Sequence, residues 1–214
     1  MTVTEALNAR HSIRAYLPQP VEREKLNAIL TAAVRTPSWA NSQPWETFVA
    51  EGATLDRIKA GFLEQYAAAT PAAPEIPRPA HWPEAALARQ RGLYPDMVRD
   101  CGDGAKQFGE LNKNFFHAPA VIYICVDKTL GEWALYDIGA YTQSIMLAAV
   151  EHGLDTIPAI NVVIYPEVLR REMSIPEHLK VAIGIAIGYT DKSNTINNFN
   201  SARSPLAETV RFFD

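Results

Sequence analysis

The stretch KVAIGIAIGY at residues 180–189 decides the fold prediction, because it is the clearest strand pattern in the chain. Valine and isoleucine alternate with alanine and glycine, and a period of two is typical of a β-strand. One face of this strand is bulky, whereas the other is nearly bare and would let a helix or a cofactor approach the backbone closely. A second apolar run, AVIYICVD at residues 120–127, does not alternate and predicts a strand that is buried on both faces.

Patterns with helical spacing surround these two strands. Thr2, with Glu5 three residues later, forms a capping box and predicts a short helix to about Arg10. Apolar residues at helical spacing predict helices over residues 21–35, 55–66 and 135–152, and Pro166 predicts the start of another. Because helices and strands interleave without a regular βαβ rhythm, the prediction is an α+β fold with helices packed on a small antiparallel or mixed sheet.

Extended structure is predicted at residues 46–50 and at residues 12–17. In the second of these segments the alternation predicts Ile13, Ala15 and Leu17 on one face, and Ser12, Arg14 and Tyr16 on the other. The second face is polar, and Pro18 and Pro20 end the segment.

Prolines punctuate the middle of the chain. Five of them fall between residues 71 and 83 and exclude regular structure there, which indicates a connector or a surface excursion. Residues 84–114 predict helix that is interrupted at Tyr94-Pro95 and again at the CGDG sequence that begins at Cys101. Neither flanking half looks complete alone, so residues 1–214 are predicted to form one domain with a variable insertion at about 67–112.

The segment from about residue 190 to residue 214 is predicted to be a C-terminal arm. It is polar and then ends with the apolar side chains of Val210, Phe212 and Phe213, which have no evident core partner in their own chain. A second copy of the chain would supply such a partner, so a homodimer is expected.

Composition excludes several classes of protein. The chain has 214 residues, 48% hydrophobic and 21% charged, with a net charge of −4, which is typical of a globular protein and argues against binding to nucleic acid or to a membrane surface. The two cysteines form no CxxC pair, and the five histidines show no metal-ligand spacing, so no metal is expected. The N-terminus lacks an apolar signal core and no long apolar run follows, so a cytoplasmic location is expected.

Common catalytic motifs are absent from the sequence. There is no GxGxxG after a strand, no GxxxxGK[ST], no HExxH and no GxSxG. The segment RHSIRAY at residues 10–16 instead places two arginines, a histidine and a serine close together. Such a cluster is either a solvated face or a local site for an anion.

Four short segments, in this order along the chain, resemble those of the nitroreductase family of flavin enzymes. They are RHSIRAY at residues 10–16, TPSWANSQPW at 36–45, TIPAIN at 156–161 and NSARSP at 200–205. The second segment fits the family pattern Pro-Ser-x-x-Asn-x-Gln-Pro-Trp at every position and is the most specific. Between them lie Ala118-Pro119 before a strand, Asp137-Ile138-Gly139 and Gln143 in the long helix, and an Ala-Ile-Gly-Tyr strand.

The resemblance implies a homodimer with one FMN at each of two sites that span the subunit interface. The residues that it assigns to the cofactor are Arg10, His11, Ser12, Arg14, Pro37, Ser38, Trp39, Asn41, Gln43, Pro158, Ala159, Ile160, Ser201 and Arg203. Arg10 and Ser12 would hold the phosphate from one side and Arg203 from the other, and Arg14 would reach the ring near N1 and O2. Ser38, Trp39 and Asn41 would come from the partner subunit. The loop at Pro158 would lie along the opposite side of the ring, with a backbone N–H directed at N5.

The resemblance also implies an activity, namely that of an FMN-dependent oxidoreductase. Such an enzyme takes hydride from NADH or NADPH and then reduces an aromatic acceptor, a nitroaromatic or quinone-like compound, in a ping-pong cycle. The flavin performs that chemistry, so no catalytic residue of the protein is predicted. Two alternatives stay open: a flavin enzyme of the same fold that dehydrogenates or dehalogenates a specific metabolite, and a non-enzymatic module that binds a phosphorylated ligand.

Two features of the sequence bear on the choice of substrate. Trp39 is bulkier than the small polar residues common at this point of the family loop, and it would narrow the pocket or stack on an aromatic substrate. The region from Pro71 to Asn112 is where a lid over the flavin is usually built in the family, and a plain surface insertion is the other interpretation.

Overall fold

The computed structural model describes residues 1–213, and its centre is a sheet of four antiparallel strands. The strands are β1 (Trp45–Glu51), β2 (Ala120–Asp127), β3 (Asp155–Ala159) and β4 (Leu179–Gly188). Their order across the sheet is β1-β2-β4-β3, and every neighbouring pair is antiparallel. The predicted α+β fold with a small sheet is therefore confirmed.

Helices cover both faces of this sheet. They are α1 (Val3–Ala9), α2 (Arg23–Ala33), α3 (Gly52–Ala67), α4 (Glu84–Cys101), α5 (Phe108–Lys113), α6 (Glu132–Glu151), α7 (Pro166–Met173) and α8 (Leu206–Thr209). The capping box at Thr2 is confirmed, since its side chain accepts from the backbone of Glu5 while the Glu5 carboxylate accepts from the backbone of Thr2. The helix α6 ends before Gly153, whose φ of +70° suits glycine. Within residues 1–213, none of these helices combines the length and the apolar character needed to cross a bilayer.

Two apolar cores lie on opposite faces of the sheet, and β2 contributes to both. Val121, Tyr123 and Cys125 face the core that includes α3 and α7, whereas Ile122 and Ile124 face the core of α2 and α6. The continuous apolar run in β2 is explained by this position, because both faces of the strand are covered.

The strand β4 departs from its predicted pattern at one end. Ile124 of β2 lies opposite Ile183, but Cys125 lies opposite Val181, so Ala182 is an extra residue in the ladder. Because of this bulge, the residues of β4 before Ala182 face the opposite side of the sheet from the one that the alternation predicts. Val181 therefore packs in the α3 and α7 core, and the prediction that it shares a face with Ile183 is wrong.

The bare face of β4 is filled by side chains rather than by a helix or a cofactor. A Cβ placed on Gly184 would lie 2.3 Å from Cγ2 of Val162, and the Tyr123 ring is also in contact. A Cβ on Gly188 would lie 2.6 Å from Pro119 and 3.1 Å from the Tyr16 ring. The prediction that other groups approach the strand backbone closely is confirmed, but these groups are side chains and not a helix or a cofactor.

Two local predictions are wrong. Tyr16 was expected on the polar face of its segment, yet it is buried against Gly188 and its hydroxyl donates to the Ala186 carbonyl at 3.2 Å, while Leu17 is 39% exposed. A break was expected at Pro95, yet α4 runs through it. Met97 and Cys101 follow the proline and are buried, which holds the second half of that helix on the core.

The last part of the chain divides in two. Residues 191–199 pack against their own chain, where Ile196 and Phe199 are buried. Beyond them the tail lies at the surface, and Phe212 and Phe213 are 86% and 91% exposed. Asp214 lies outside the described residues.

Candidate active site

A cavity of about 440 Å³ joins the two ends of the polypeptide. Arg10 enters it directly after α1, Ser201 and Arg203 enter from the tail, and Gln143 enters from α6. The remaining lining residues are Leu7, Asn8 and Asn200. Three of the residues that the family resemblance assigns to the cofactor, Arg10, Ser201 and Arg203, thus meet in one concave surface.

The cavity is electropositive. Burial, and then the neighbouring charge of Arg203, lower the pKa of Arg10. Within residues 1–213 neither arginine forms an ion pair with a carboxylate; Arg203 instead donates to the carbonyl and the hydroxyl oxygen of Ser201, both at 2.8 Å. Two guanidinium groups that repel each other in a polar cavity form a site for an anion.

The side chain of Asn197 fastens the tail to the N-terminal segment. Its Oδ1 accepts from the backbone N–H of Arg14 at 2.7 Å and of Ala15 at 3.1 Å. Its Nδ2 donates to the carbonyls of Ala15 and Asp191 at 2.8 and 2.9 Å. All these groups are buried or partly buried, and the backbone N–H of Asp191 also donates to the carbonyl of Ala15 at 3.1 Å, so Asn197 and the backbone together fix the register between the two segments.

Arg14 is a largely buried cation with an unsatisfied donor. Its guanidinium carbon lies 4.9 Å from the centre of the Phe199 ring, and Nη1 donates to the carbonyl of Ser12 at 2.9 Å. Its Nε is buried and has no hydrogen-bond partner within residues 1–213. Burial is the main reason that the pKa of Arg14 is lowered. A ligand with hydrogen-bond acceptors would satisfy this group.

The segment around Ser12 lies beside β3. Ser12 forms a parallel bridge with Thr156, and the backbone N–H of Ile13 donates to the carbonyl of Thr156 at 3.2 Å. His11 is half-buried, with Nδ1 3.0 Å from the carbonyl of Ala9. The arginine segment and the loop that follows β3 are thereby brought to the same side of the molecule.

A second cavity, also of about 440 Å³, is an apolar cleft. Four parts of the chain form its walls: the proline-rich segment, α6, the loop after β3 and the bulged end of β4. Their lining residues are Pro74, Ile76, Pro77, Arg78 and Pro79 from the first, Leu135, Ile138, Gly139 and Thr142 from α6, Ile160 and Val163 from the loop, and Ala182 and Ile183 from β4. Of the residues assigned to the cofactor, Ile160 lines this cleft and is half-exposed. Pro158 and Ala159 lie behind it in β3, where they pair with Ile185 and Gly184.

The helix α6 connects the two cavities. Gln143 lines the electropositive cavity, whereas Thr142, Gly139 and Leu135 line the apolar cleft. From Gln143 to Leu135 the helix rises about 12 Å at 1.5 Å per residue. The electropositive cavity and the apolar cleft therefore lie beside the same helix, with Gln143 one turn after Gly139.

The predicted loop at residues 37–43 is held by hydrogen bonds but lies elsewhere. Ser38 Oγ accepts from the backbone N–H of Gln43 at 2.9 Å, and Gln43 Nε2 donates to Asn41 Oδ1 at 3.2 Å. The backbone N–H of Trp39 donates to buried Asp137 of α6 at 3.1 Å, while the Trp39 side chain is 67% exposed. Pro37 and the other loop residues line neither cavity of their own chain.

The proline-rich segment supplies a feature that the sequence did not predict. The carboxylate of Glu75 accepts from Nη2 of buried Arg170 at 2.6 and 2.8 Å and from the backbone N–H of Val181 at 2.7 Å. Val181 lies beyond the end of the β3 ladder, so Glu75 caps an otherwise open edge of β4. We call residues 71–79 the proline strap. A charged residue inside a run of prolines was the signal that could have revealed its anchor.

The chain is thus an α+β protein with an electropositive cavity and an apolar cleft beside the same helix, α6. The chain belongs to the nitroreductase family, whose family model matches residues 7–189. The family resemblance found in the sequence is thus confirmed.

Individual relatives cover almost the whole chain. The chloronitrobenzene nitroreductase of Comamonas testosteroni is 32% identical, over 98% of this chain and 96% of that protein. The nitroreductase NfnB of Mycolicibacterium smegmatis is 28% identical, over 96% of this chain and 90% of that protein. Among solved structures, the FMN and NADPH-dependent nitroreductase NfnB from Sphigopyxis sp. strain HMH superposes with a TM-score of 0.92 at 26% identity, with both chains fully covered.

Proposed function

We propose that this protein is an FMN-dependent oxidoreductase that transfers reducing equivalents from NADH or NADPH to nitroaromatic or quinone-like acceptors. One observation carries this proposal. Arg10 and Arg203 meet in a cavity without a carboxylate, and an apolar cleft lies beside the same helix, α6. Relatives named as nitroreductases, one of them in a structure described as FMN and NADPH-dependent, support the same function.

The electropositive cavity suits the phosphate of FMN. A phosphate monoester carries close to two negative charges near neutral pH, and two arginines approximately balance them. Arg10 and Arg203 would bind its oxygens, with Ser12, Ser201 and His11 close to the same end of the ligand. The chain can hold this anion despite its net charge of −4 because the positive charge is local.

Arg14 would hold the polar edge of the flavin ring near N1 and O2. Its buried Nε has no partner in residues 1–213, so a ring heteroatom or carbonyl oxygen would complete its hydrogen bonding. A fixed cation at this edge favours the reduced, negatively charged flavin and so raises its reduction potential. Ile160, with Pro158 and Ala159 behind it, would support the ring from the cleft side.

The active assembly is proposed to be a homodimer of single-domain subunits. Neither of the two cavities described above is lined by the loop residues Pro37, Ser38, Trp39, Asn41 and Gln43, and a partner's cofactor site would give them a role. Trp133 and Tyr136 on α6 are largely exposed and contact each other edge to face, which is typical of an apolar surface that a partner covers. The exposed arm beyond residue 200 would pack on the same partner.

When bound, FMN supplies the hydride and electron chemistry of the reaction. The residues of the chain therefore have to bind, orient and enclose rather than donate protons or attack the substrate. The apolar walls of the cleft would exclude water from the reacting groups, and Trp39 of a neighbouring subunit would border the acceptor.

The test begins with the absorption spectrum of the purified protein, which should show bound flavin. The second step is NADH and NADPH oxidation with a panel of nitroaromatics and quinones. A colourless protein that stays colourless after incubation with FMN would refute the proposal. A flavin-containing protein that NAD(P)H reduces only slowly would instead favour a flavin enzyme acting on a specific metabolite.

A further inference from the structure

The apolar cleft contains two polar groups that the chain itself leaves unsatisfied. Thr142 Oγ1, on α6, is buried and has no hydrogen-bond partner within residues 1–213. Arg78, on the proline strap, is exposed and takes part in no hydrogen bond or ion pair with that part of the chain. A mostly apolar cleft with a few convergent polar groups is typical of a small-molecule site.

The charge of Arg78 is not neutralised by the acidic residue nearest to it in sequence. Glu75 is already bound by Arg170 through two contacts, and Lys128 Nζ lies 3.7 Å from its Oε1. The same anchor fixes the strap three residues before Arg78. The guanidinium is thus attached to a tethered segment at the rim of the cleft and remains available for an anion.

We infer that this cleft selects aromatic acceptors that carry an anionic substituent, with Arg78 as the residue that recognises the anion. A carboxylate matches the planar fork of a guanidinium, while the apolar walls match an aromatic ring. The Thr142 hydroxyl would donate to an oxygen of the acceptor inside the cleft. The inference rests on the proposed function and deepens it, because it names the class of acceptor.

The experiment compares 4-nitrobenzoate with its neutral isostere 4-nitrobenzamide. Initial rates give kcat/KM for both acceptors, and equilibrium dialysis without NAD(P)H gives the Kd of both compounds. The variants are Arg78→Gln, Arg78→Lys and, as a matched control, Arg89→Gln, which removes an exposed arginine of α4 that does not line the cleft.

Arg78→Gln should lower kcat/KM and raise Kd for 4-nitrobenzoate about tenfold, which corresponds to ~1.4 kcal/mol. The values for 4-nitrobenzamide should change by less than about twofold, and Arg78→Lys should keep part of the preference because it keeps the charge. The wild-type preference should also shrink at about 1 M salt, where the Debye length is about 3 Å. Arg89→Gln should change neither acceptor.

Equal effects of Arg78→Gln on the two acceptors would overturn the inference. A selective rise in the KM for NADPH over NADH, with unchanged discrimination between acceptors, would also overturn it and assign Arg78 to the coenzyme phosphate. Equilibrium dialysis distinguishes failure of this inference from failure of the proposed function. A protein that binds no flavin and turns over no acceptor, but still binds 4-nitrobenzoate through Arg78, would refute the function and support the anion site.

Discussion

Replacement of Arg203 by alanine tests the most specific feature of the site, the pair of arginines from opposite ends of the chain. Arg203 bonds only to its neighbours Ser201 and Ala202, so its removal should leave the fold intact. Its removal also relieves Arg10 of a like charge that contributes to its lowered pKa. The unfolding free energy of the protein without ligand should therefore stay the same or rise slightly.

The affinity for FMN should fall for the opposite reason. A hydrogen bond to a charged group contributes about 1.5–3 kcal/mol, and the exposure of Arg203 to solvent favours the lower end of that range. A loss of about 1.5–2 kcal/mol raises the Kd about 10- to 30-fold. Riboflavin, which has the same ring but no phosphate, should bind the variant and the parent equally well.

Fluorescence titrations with FMN and with riboflavin measure the Kd of each flavin, and urea unfolding measures the unfolding free energy. Arg211→Ala is the matched control, because it removes an exposed arginine of the same tail that bonds only to nearby backbone carbonyls. If Arg203→Ala weakens riboflavin as much as FMN, or leaves both unchanged, the assignment of Arg203 to the phosphate is wrong.

Four further predictions concern other parts of the molecule. Trp39→Ala should change the ratio of kcat/KM between acceptors by about tenfold in steady-state assays and should change FMN affinity less, because the side chain is exposed and should border the acceptor. Glu75→Gln should lower the unfolding free energy in urea by about 2–4 kcal/mol, since it leaves the buried charge of Arg170 without a counter-ion. Gly184→Ala should lower it by about 1–3 kcal/mol, because the new methyl group would overlap Val162. Burial raises the pKa of Cys125 to about 12, so the unfolding free energy should fall as the pH rises from about 9 toward 12. In urea unfolding over that range, the unfolding free energy of Cys125→Ala should fall less steeply than that of the parent.

Each of these predictions has a contrasting variant or outcome. Gly109→Ala adds a methyl group to a glycine with open space around it and should not destabilise, so equal losses at both glycines would remove the packing explanation. Glu172→Gln breaks ion pairs to two exposed arginines and should cost less than Glu75→Gln. A parallel pH dependence of parent and Cys125→Ala would contradict the role of the thiol, and loss of FMN by Trp39→Ala would contradict the role of Trp39.

The elements that the sequence predicted well are those whose pattern follows from burial alone. The continuous apolar run of β2 reflects a central strand with a core on each face, and the spacing in α6 reflects a helix packed on the sheet. The family was identified through the motifs of the arginine segment and of the loop at Pro37, since those residue types in that order are informative without coordinates. The assignment of their residues to the cofactor stays a prediction.

The failures share a different cause, because each depends on a partner distant in sequence. The bulge at Ala182 arises from the ladder with β2, which no local alternation reveals. Tyr16 is buried because Gly188 leaves room for its ring. The anchor of the proline strap joins Glu75 to Arg170, which lies 95 residues further along the chain, and periodicity carries no information about such a pair.

The amide of Asn197 has a consequence for biosynthesis. Since it binds the backbone at Arg14 and Ala15, the arrangement of the arginine segment depends on a residue that the ribosome adds 183 residues after Arg14. At about 5–20 residues per second, translation of those 183 residues takes roughly 10–40 s, and the backbone at Arg14 lacks this partner through that time. A nascent or prematurely terminated chain that stops short of this asparagine would contain the whole sheet yet leave the backbone of Arg14 and Ala15 without these hydrogen bonds.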